Sequence, residues 1–296
     1  MIRMRTILSL ALLATTAACG GGGGGGGGGS PPAVSGATPA QSAATAPTPS
    51  TDFANPQVTM TSSGNVGYAN GPTSQTVTDD GATLNVHVDG MPDMQFDMAK
   101  DVDNSTFTPD TGPWAQFTKT DADGNKITAI KFNDGSQLDA TTFGIWQKFD
   151  TTGALVSSGA YASGTDTPAD QMPTSGKATY AGNAIGTGQD GTGSFTLTGT
   201  SNVVADFGNR NVTTDISLNK GDQQFVALHS ADGAIAANSN KFAGSIQGGG
   251  LNGGIQGAFF GTTANQRGAA GEVGGVFAAS GGGTSVNGAF AAGKTP

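Results

Sequence analysis

Residues 253–280 read GGIQGAFFGTTANQRGAAGEVGGVFAAS, and here small residues alternate with aromatic and branched apolar ones. Glycine costs about 1 kcal/mol relative to alanine inside a helix, so the composition favours strands and turns. We predict two strands in this stretch, Gly254–Phe260 and Val273–Ala279. Phe259 and Phe277 are predicted core residues within them.

The same texture extends over the C-terminal part of the chain, where residues 176–296 contain 27 glycines. An even number of short antiparallel strands is typical of a closed up-and-down barrel, because closure removes the exposed sheet edges. Interior glycines allow strands to bend at the corners of a small barrel. We predict eight strands: Lys177–Gly186, Gly193–Phe207, Asn211–Leu218, Gln223–His229, Asn240–Gln247, Gly254–Phe260, Val273–Ala279 and Ser285–Ala291. The predicted interior contains Phe195, Phe207, Phe225, Phe242, Phe259, Phe277 and Phe290.

Residues 52–171 have only 12 glycines and more strongly marked strands. Two hairpins are indicated by apolar runs that flank polar turns, DADGN and DTTG. A further strand, NVHV, ends at the turn dipeptide Asp89-Gly90. The fold class is therefore all-β, with a mixed antiparallel β domain at 52–171 followed by a barrel domain at 172–296. The hairpin strands are Trp114–Thr120 with Lys126–Phe132, and Phe143–Phe149 with Leu155–Tyr161.

Residues 1–18 have the features of a signal peptide. Arg3 and Arg5 precede an apolar run, Ile7–Ala14, that is much shorter than the roughly 20 residues needed to span a bilayer. The following TAAC, Thr16–Cys19, resembles a bacterial lipobox, with Thr16 in place of the usual leucine. Cys19 is the only cysteine, so a disulfide within the chain is impossible. We predict that Cys19 is lipidated and anchors the mature chain to a membrane.

Residues 19–51 are predicted to form a disordered tether. Gly20 to Thr51 includes no charged residue and is dominated by glycine, proline, alanine, serine and threonine. Such a segment cannot bury enough apolar surface to offset its ordering entropy. Its typical reach is about 30 Å by the scaling of flexible linkers. Gly20 directly after the cysteine, rather than aspartate, resembles lipoproteins sorted to the outer membrane.

The charge balance excludes some partners. The chain carries a net charge of −9, and residues after Cys19 include 11 basic and 22 acidic ones. Nucleic-acid binding depends on lysine and arginine neutralising phosphates, so we predict no nucleic-acid partner. A transmembrane barrel is an alternative architecture, but NVTTDISL would place threonine and aspartate where lipid contact is expected.

Residue types that support catalysis or metal binding are sparse. His87 and His229 are the only histidines, which excludes a site with several histidine ligands. His87 is predicted to be solvated, and His229 is either a haem or metal ligand or a strand-end residue. DADGN, Asp121 to Asn125, resembles the start of a calcium loop, but Lys126 and Phe132 occupy its glycine and glutamate positions.

No serine nucleophile motif is present, and the carboxylate pair Asp79-Asp80 is expected to lie solvated in a turn. We therefore predict no enzyme activity, no catalytic residue, no metal site and no cofactor. Trp114 and Trp146 are either ligand contacts or core residues, and a half-buried sheet favours the core.

Several motifs in the barrel segment together resemble the β-barrel domain of transferrin-binding protein B and its lipoprotein relatives. The segments are MPTSGKATYAGNAIG from Met172, ADFGNRNVTTDISL from Ala205, FAGSIQ from Phe242, GGIQGAFFGTTAN from Gly253 and GEVGGVFAAS from Gly271. The resemblance covers about 172–294. NQRGAAG, residues 265–271, is longer than the usual turn of that family. Residues 52–171 resemble in position the handle domain that precedes such barrels.

The resemblance implies a surface-exposed, lipid-anchored outer-membrane lipoprotein that binds a ligand, in some relatives alongside an outer-membrane transporter. The implied ligand classes are an iron carrier, haem or a host protein, and the ligand-binding residues are not identified. Because the chain resembles one lobe rather than two, transferrin itself is not favoured. An envelope structural or scaffolding lipoprotein with no dissociable ligand is the alternative.

Overall fold

The computed structural model describes residues 58–62, 75–88, 92–103, 114–132 and 137–296. The chain divides into two units, residues 1–41 and 42–296, and all described residues belong to the second. The predicted signal peptide, Cys19, the tether and the turn at Asp89-Gly90 lie outside the described residues. In the described part, no helix has the length and apolar composition that crossing a bilayer requires.

The described residues form sixteen strands and one short 3-10 turn, Ala169–Gln171. The strands are β1 (Val58–Ser62), β2 (Gln75–Asp79), β3 (Thr83–Val88), β4 (Met94–Asp97), β5 (Trp114–Thr120), β6 (Lys126–Phe132), β7 (Thr141–Phe149), β8 (Leu155–Gly164), β9 (Lys177–Asp190), β10 (Gly193–Asp206), β11 (Asn211–Lys220), β12 (Gln223–Ile235), β13 (Lys241–Gly248), β14 (Leu251–Phe260), β15 (Glu272–Gly281) and β16 (Thr284–Lys294).

These strands form three antiparallel sheets. Strands β9 to β16 close into an eight-stranded barrel in which each strand pairs with its neighbours in sequence and β16 pairs with β9. A five-stranded sheet has the order β1-β8-β7-β6-β5, and β2-β3-β4 form a small third sheet. The predicted all-β fold with an eight-stranded barrel is therefore confirmed.

Aromatic rings inside the barrel lie on glycines of the neighbouring strand. The strand register places each ring directly opposite its glycine. A Cβ on any of these glycines would lie 2.3–2.8 Å from the ring, closer than any real contact. The glycine content thus has a packing cause, because the bare backbone provides the space that the ring fills. The pairs are Phe195–Gly188, Phe242–Gly257, Phe277–Gly288 and Phe290–Gly275.

All seven phenylalanines predicted for the interior belong to the barrel core. Five of them are buried in it, and Phe195 and Phe225 are partly buried and pack against it. Phe195 and Phe225 contact each other edge to face, with ring centroids 5.1 Å apart. Phe225 reaches the interior because a register shift between Leu218 and Asn219 adds one residue to β12 at this point.

The five-stranded sheet is a middle layer that is buried on both faces. One face packs against the outer wall of the barrel, where Ile185, Val276 and Ala289 join the same core cluster as Trp114 and Phe143. The other face packs on the three-stranded sheet through a cluster that includes Trp146 and Tyr161. The half-buried sheet expected from the sequence is therefore wrong for this layer.

Observed strand ends differ most from the prediction in β12. The sequence predicts an end at His229, whereas the strand continues to Ile235. Within this extension the pairing with β13 is interrupted between His229 and Ala234. A bulge breaks the alternation of inward and outward residues, so the pattern beyond His229 does not resemble a strand. The division of residues 75–132 into two sheets was also not predicted.

Asp232 fills this interruption with its side chain. Its carboxylate accepts hydrogen bonds from the main-chain N–H of Ser245, at 2.8 Å, and from the hydroxyl of Ser245, at 2.5 Å. The hydroxyl bond is the main reason that the pKa of Asp232 is lowered. Only three positions of β12 pair with β13, so the carboxylate takes the place of missing ladder hydrogen bonds.

We expect Asp232→Ala to lower the free energy of unfolding by about 0.5–1.5 kcal/mol, because the exposed Ser245 N–H exchanges its carboxylate acceptor for water. Urea denaturation of the full-length chain measures the change. Asp232→Asn retains one acceptor oxygen and should cost less. Asp222→Ala, a change at an exposed turn, is the control. If Asp232→Ala and Asp222→Ala have the same free energy of unfolding, the junction of β12 and β13 does not depend on the Asp232 carboxylate.

Candidate functional site

The two ends of the barrel are built differently. At one end all four connections have two residues, 191–192, 221–222, 249–250 and 282–283, and we call this the turn end. At the opposite end the connections are 207–210, 236–240 and 261–271, joined by the linker 165–176 that enters the barrel. We call this the loop end. Binding residues occur disproportionately on loops that a rigid scaffold positions, so the loop end is the candidate site.

The three loop-end connections contain unfavourable backbone conformations. Among the described residues, only three that are not glycine have positive φ: Arg210 at 55°, Asn238 at 50° and Ala270 at 49°. One lies in each connection. Such conformations cost on the order of 1 kcal/mol or more for arginine and alanine and cluster at functional sites. Their positions therefore support the loop end as the functional end.

A groove of about 210 Å³ lies between the first two connections and the linker. Met172, Phe207 and Ile235 contribute apolar side chains to it, and Arg210 and Asn238 contribute polar ones. The guanidinium of Arg210 donates to the carbonyl of Ile235 through Nη2 at 2.6 Å and Nε at 3.2 Å. This contact joins the two connections and fixes the guanidinium beside the groove.

The third connection closes the barrel mouth. Ala270 is 1% exposed, and its carbonyl accepts the Tyr180 hydroxyl at 2.8 Å from inside the barrel. Burial raises the pKa of Tyr180, so the hydroxyl stays protonated as the donor. The Ala270 N–H donates to Thr167 Oγ1 at 3.0 Å. The extra length of residues 265–271 is thus used in contacts with the chain itself.

The same connection also contacts the segment that leads into β7 of the five-stranded sheet. The Gln266 N–H donates to Asp139 Oδ2 at 3.0 Å, and Glu272 accepts from the Asp139 N–H at 2.7 Å. Glu272 is fully buried, and burial together with a hydrogen bond to the Asp139 carboxyl raises its pKa from 4.5 to about 7. This carboxyl pair links the two halves of the described structure next to the loop end.

Neither histidine lies at the loop end. His229 is on the outer wall of the barrel, directly opposite Asp215 in the register, with Nδ1 2.7 Å from Asp215 Oδ1. It lies in the middle of β12 and not at a strand end, which corrects the prediction. His87 is exposed, as predicted, and its Nδ1 is 2.6 Å from Asp93 Oδ1. Among the described residues no cluster of three or more histidine, cysteine, aspartate or glutamate residues can hold a metal ion.

The calcium-like DADGN forms the β5–β6 turn, as predicted. The Asp121 carboxylate accepts from the N–H groups of Asp123 and Asn125 and pairs with Lys148 at 2.8 Å. The Asp121 carboxylate is therefore engaged in contacts that stabilise the turn. Trp114 and Trp146 are 7% and 0% exposed, so both are core residues on opposite faces of the middle sheet.

The expectation for Asp79 was wrong. Its side chain is 6% exposed and pairs with Lys131 at 2.5 Å, which connects β2 to β6. Asp80 instead lies in the turn, where its carboxylate accepts from the N–H groups of Ala82 and Thr83. The sequence contains no signal for the Asp79 contact, because Lys131 is more than fifty residues away.

Sequence reasoning also missed Arg210 and the groove. Arg210 follows Phe207-Gly208 in a segment that indicates a turn but no particular side-chain role. The groove combines positions near 172, 207 and 235, which only the closed barrel brings together.

Comparison with known proteins gives one family. Residues 172–294 match the family described as the C-lobe and N-lobe beta barrels of Tf-binding protein B. No curated protein matches the chain.

Similar solved structures include transferrin-binding protein B from Haemophilus parasuis Hp5, with 17% identity over 75% of this chain and 50% of that one and a TM-score of 0.46. The protein from serogroup B Neisseria meningitidis has 14% identity over 81% of this chain and 57% of that one, with a TM-score of 0.44. The chain thus spans about half the length of these two relatives. The family match therefore supports a transferrin-binding protein B-like β-barrel domain at residues 172–294 of this chain.

Proposed function

We propose that this chain is a lipid-anchored lipoprotein of the outer membrane, displayed at the cell surface, that binds a ligand without catalysis. The signal peptide at 1–18 directs export and is removed, after which the lipidated Cys19 and the tether at 19–51 hold the folded part of the chain near the membrane. The tether raises the local concentration of the binding domain near a membrane partner such as a transporter. The loop end of the barrel contacts the ligand.

The observation that carries this proposal is the asymmetry of the barrel. Four two-residue turns leave almost no surface for recognition at one end, whereas the loop end has three longer connections, a groove and all three strained residues. The outer wall presents Asp215 and His229, with side-chain exposures of 57% and 50%, which supports a barrel that stands in water.

The size of the groove supports a protein ligand over a small molecule. Small-molecule sites usually have volumes of roughly 300–1,000 Å³. The groove, with about 210 Å³, is small for haem or an iron carrier but suits side chains of a partner protein. The relatives are named for transferrin binding, and for this chain we propose the broader class of host protein, with haem and iron carriers as the other ligands to test.

Cys19→Ala is expected to move the full-length chain from the membrane fraction to the soluble fraction, because several acyl chains together hold a protein on a bilayer. Immunoblots of fractionated cells measure the shift, and Ser30→Ala in the tether is the matched control. Digestion of intact cells with protease should remove the domain. Membrane association that persists in Cys19→Ala would contradict lipid anchoring, and survival of the domain would contradict surface display.

The binding end is tested with a photo-crosslinking amino acid at Ala237, an exposed position of the loop end. The same group at Asp222 marks the turn end. We expect adducts with a partner only from position 237 on intact cells supplied with host serum. Adducts only from position 222 would contradict the loop end as the site. Absence of adducts from both would favour a structural lipoprotein.

A further inference from the structure

We propose that the loop-end groove docks an acidic segment of a partner protein, with an apolar side chain in the groove and a carboxylate on Arg210. This inference rests on the proposed function, because it specifies the chemistry that the loop end recognises. It is carried by the position of Arg210, the charge of the barrel residues and the lining of the groove.

Arg210 occupies a backbone position that this chain normally gives to glycine. Among the described residues, thirteen glycines have positive φ, against only three residues of other types. Glycine at position 210 would remove the strain but also the guanidinium that contacts the Ile235 carbonyl. Two of its N–H donors contact the Ile235 carbonyl, and a guanidinium has five. The remaining donors extend from a group already fixed in place, which is suited to a carboxylate.

Basic residues of the barrel are concentrated at the loop end. From residue 172 onward the chain has six lysines and arginines, and only Lys220 belongs to the turn end. Lys177 is 3.2 Å from Asp206, and Lys241 interacts with Asp166. Within the described part of the chain, Arg210, Arg267 and Lys294 have no carboxylate within 4.0 Å. The loop-end set is Lys177, Arg210, Lys241, Arg267 and Lys294.

These charges select a compact acidic partner. The net charge of −9 repels extended polyanions such as nucleic acid or an anionic bilayer. Asp170, Asp166 and Asp206 also lie at the loop end, and the last two already neutralise Lys241 and Lys177. A short acidic segment in the groove therefore gains chiefly from Arg210. The Arg267 guanidinium donates to a carbonyl, that of Lys294, at 3.0 Å, and a carbonyl does not neutralise its charge.

The groove supplies the apolar half of the recognition. Met172, Pro173, Phe207 and Ile235 line it, and Arg210 lies at the same wall. An apolar side chain with a neighbouring carboxylate matches this arrangement of surfaces. Central apolar anchors surrounded by polar contacts are typical of protein interfaces.

The test uses the full-length Cys19→Ala chain and two fluorescein-labelled peptides, GSEELEESG and its amide counterpart GSQQLQQSG, in anisotropy titrations. We expect the acidic peptide to bind more tightly, with affinity that falls as ionic strength rises. Arg210→Gln should weaken its binding on the order of tenfold, a change typical of losing one charge-assisted contact. Lys220→Gln at the turn end is the matched control and should bind like the parent.

A second pair of variants leaves Arg210 intact. Ala237→Glu should weaken binding of the acidic peptide and Ala237→Lys should strengthen it. Equal affinity for the two peptides, or unchanged affinity in Arg210→Gln and Ala237→Glu, would overturn the inference. Failure of peptide binding together with Arg210-dependent binding to phosphatidylglycerol vesicles would overturn it in favour of a lipid ligand.

The crosslinking experiment separates this inference from the proposed function. If a partner crosslinks from position 237 with equal yield in the parent and in Arg210→Gln, the inference of an acidic segment is overturned and the proposed function stands. Absence of any partner at position 237 would overturn the proposed function. Loss of the adduct in Arg210→Gln and competition by GSEELEESG, with none by GSQQLQQSG, would support both.

Discussion

Gly257→Val is expected to lower the free energy of unfolding by about 3 kcal/mol, near the upper end of the usual cost of overpacking a core. A Cβ at this position would lie 2.3 Å from the Phe242 ring and 2.8 Å from the carbonyl oxygen of Gly274. Valine favours strands, so intrinsic propensity predicts the opposite sign. Urea denaturation with the Cys19→Ala chain as parent measures the difference.

A double-mutant cycle identifies the ring as the cause. Phe242→Ala alone should cost about 3–5 kcal/mol by opening a cavity. The double variant Phe242→Ala/Gly257→Val should be destabilised by about 1–3 kcal/mol less than the sum of the two single-variant values, because valine enters the space that the ring leaves. Gly191→Val is the control, since a Cβ there has no atom within 4 Å. An additive cycle would contradict the ring-on-glycine account.

Glu272→Gln is expected to stabilise the protein at pH 8 by up to about 3 kcal/mol and to change it little at pH 5. The folded-state pKa of about 7 lies above the ordinary 4.5, chiefly because of burial. The stabilising contribution of the neutral carboxyl is therefore fully present below pH 4.5 and is lost as pH rises through 7. Glutamine remains neutral throughout and retains an acceptor for the Asp139 N–H.

Urea denaturation at pH 5 and pH 8 measures this effect, with Asp222→Asn as an exposed control. The pKa of Asp139 is lowered: burial opposes this, but hydrogen bonds from Glu272 and the Gln266 N–H outweigh it. Asp139 therefore stays ionised between pH 5 and pH 8, so it does not change the expected direction of the Glu272→Gln effect. Two results would contradict the raised pKa of Glu272: a parent protein with the same free energy of unfolding at pH 5 and pH 8, or a Glu272→Gln variant that is less stable than the parent at pH 8.

The barrel could be predicted from the sequence because its signals are local. Alternating glycine and phenylalanine mark strands, and glycine at each two-residue connection marks the turns between them. The β12 extension was missed because the interruption near Asp232 breaks the two-residue period. The burial of the middle sheet on both faces was missed because it depends on what packs against each face. The sequence of a strand such as β6 does not indicate which other parts of the chain cover it.

The loop-end groove could not be predicted for a different reason. Its wall combines residues around 172, 207 and 235, and their proximity is a product of barrel closure. Arg210 acquires its role from a contact with Ile235, which no short motif encodes. The anchor residue Cys19, by contrast, was identified from its immediate neighbours and stays a prediction.

The packing of the middle sheet on the barrel wall limits where this chain can be divided. Because Trp114 and Phe143 share one core with Ile185 and Val276 of the barrel wall, a chain cut within the linker 165–176 would leave an apolar surface on each piece. Exposed apolar surface of this kind promotes aggregation. The smallest part that can be copied, fused or transplanted is therefore the barrel together with the sheet that packs on its wall.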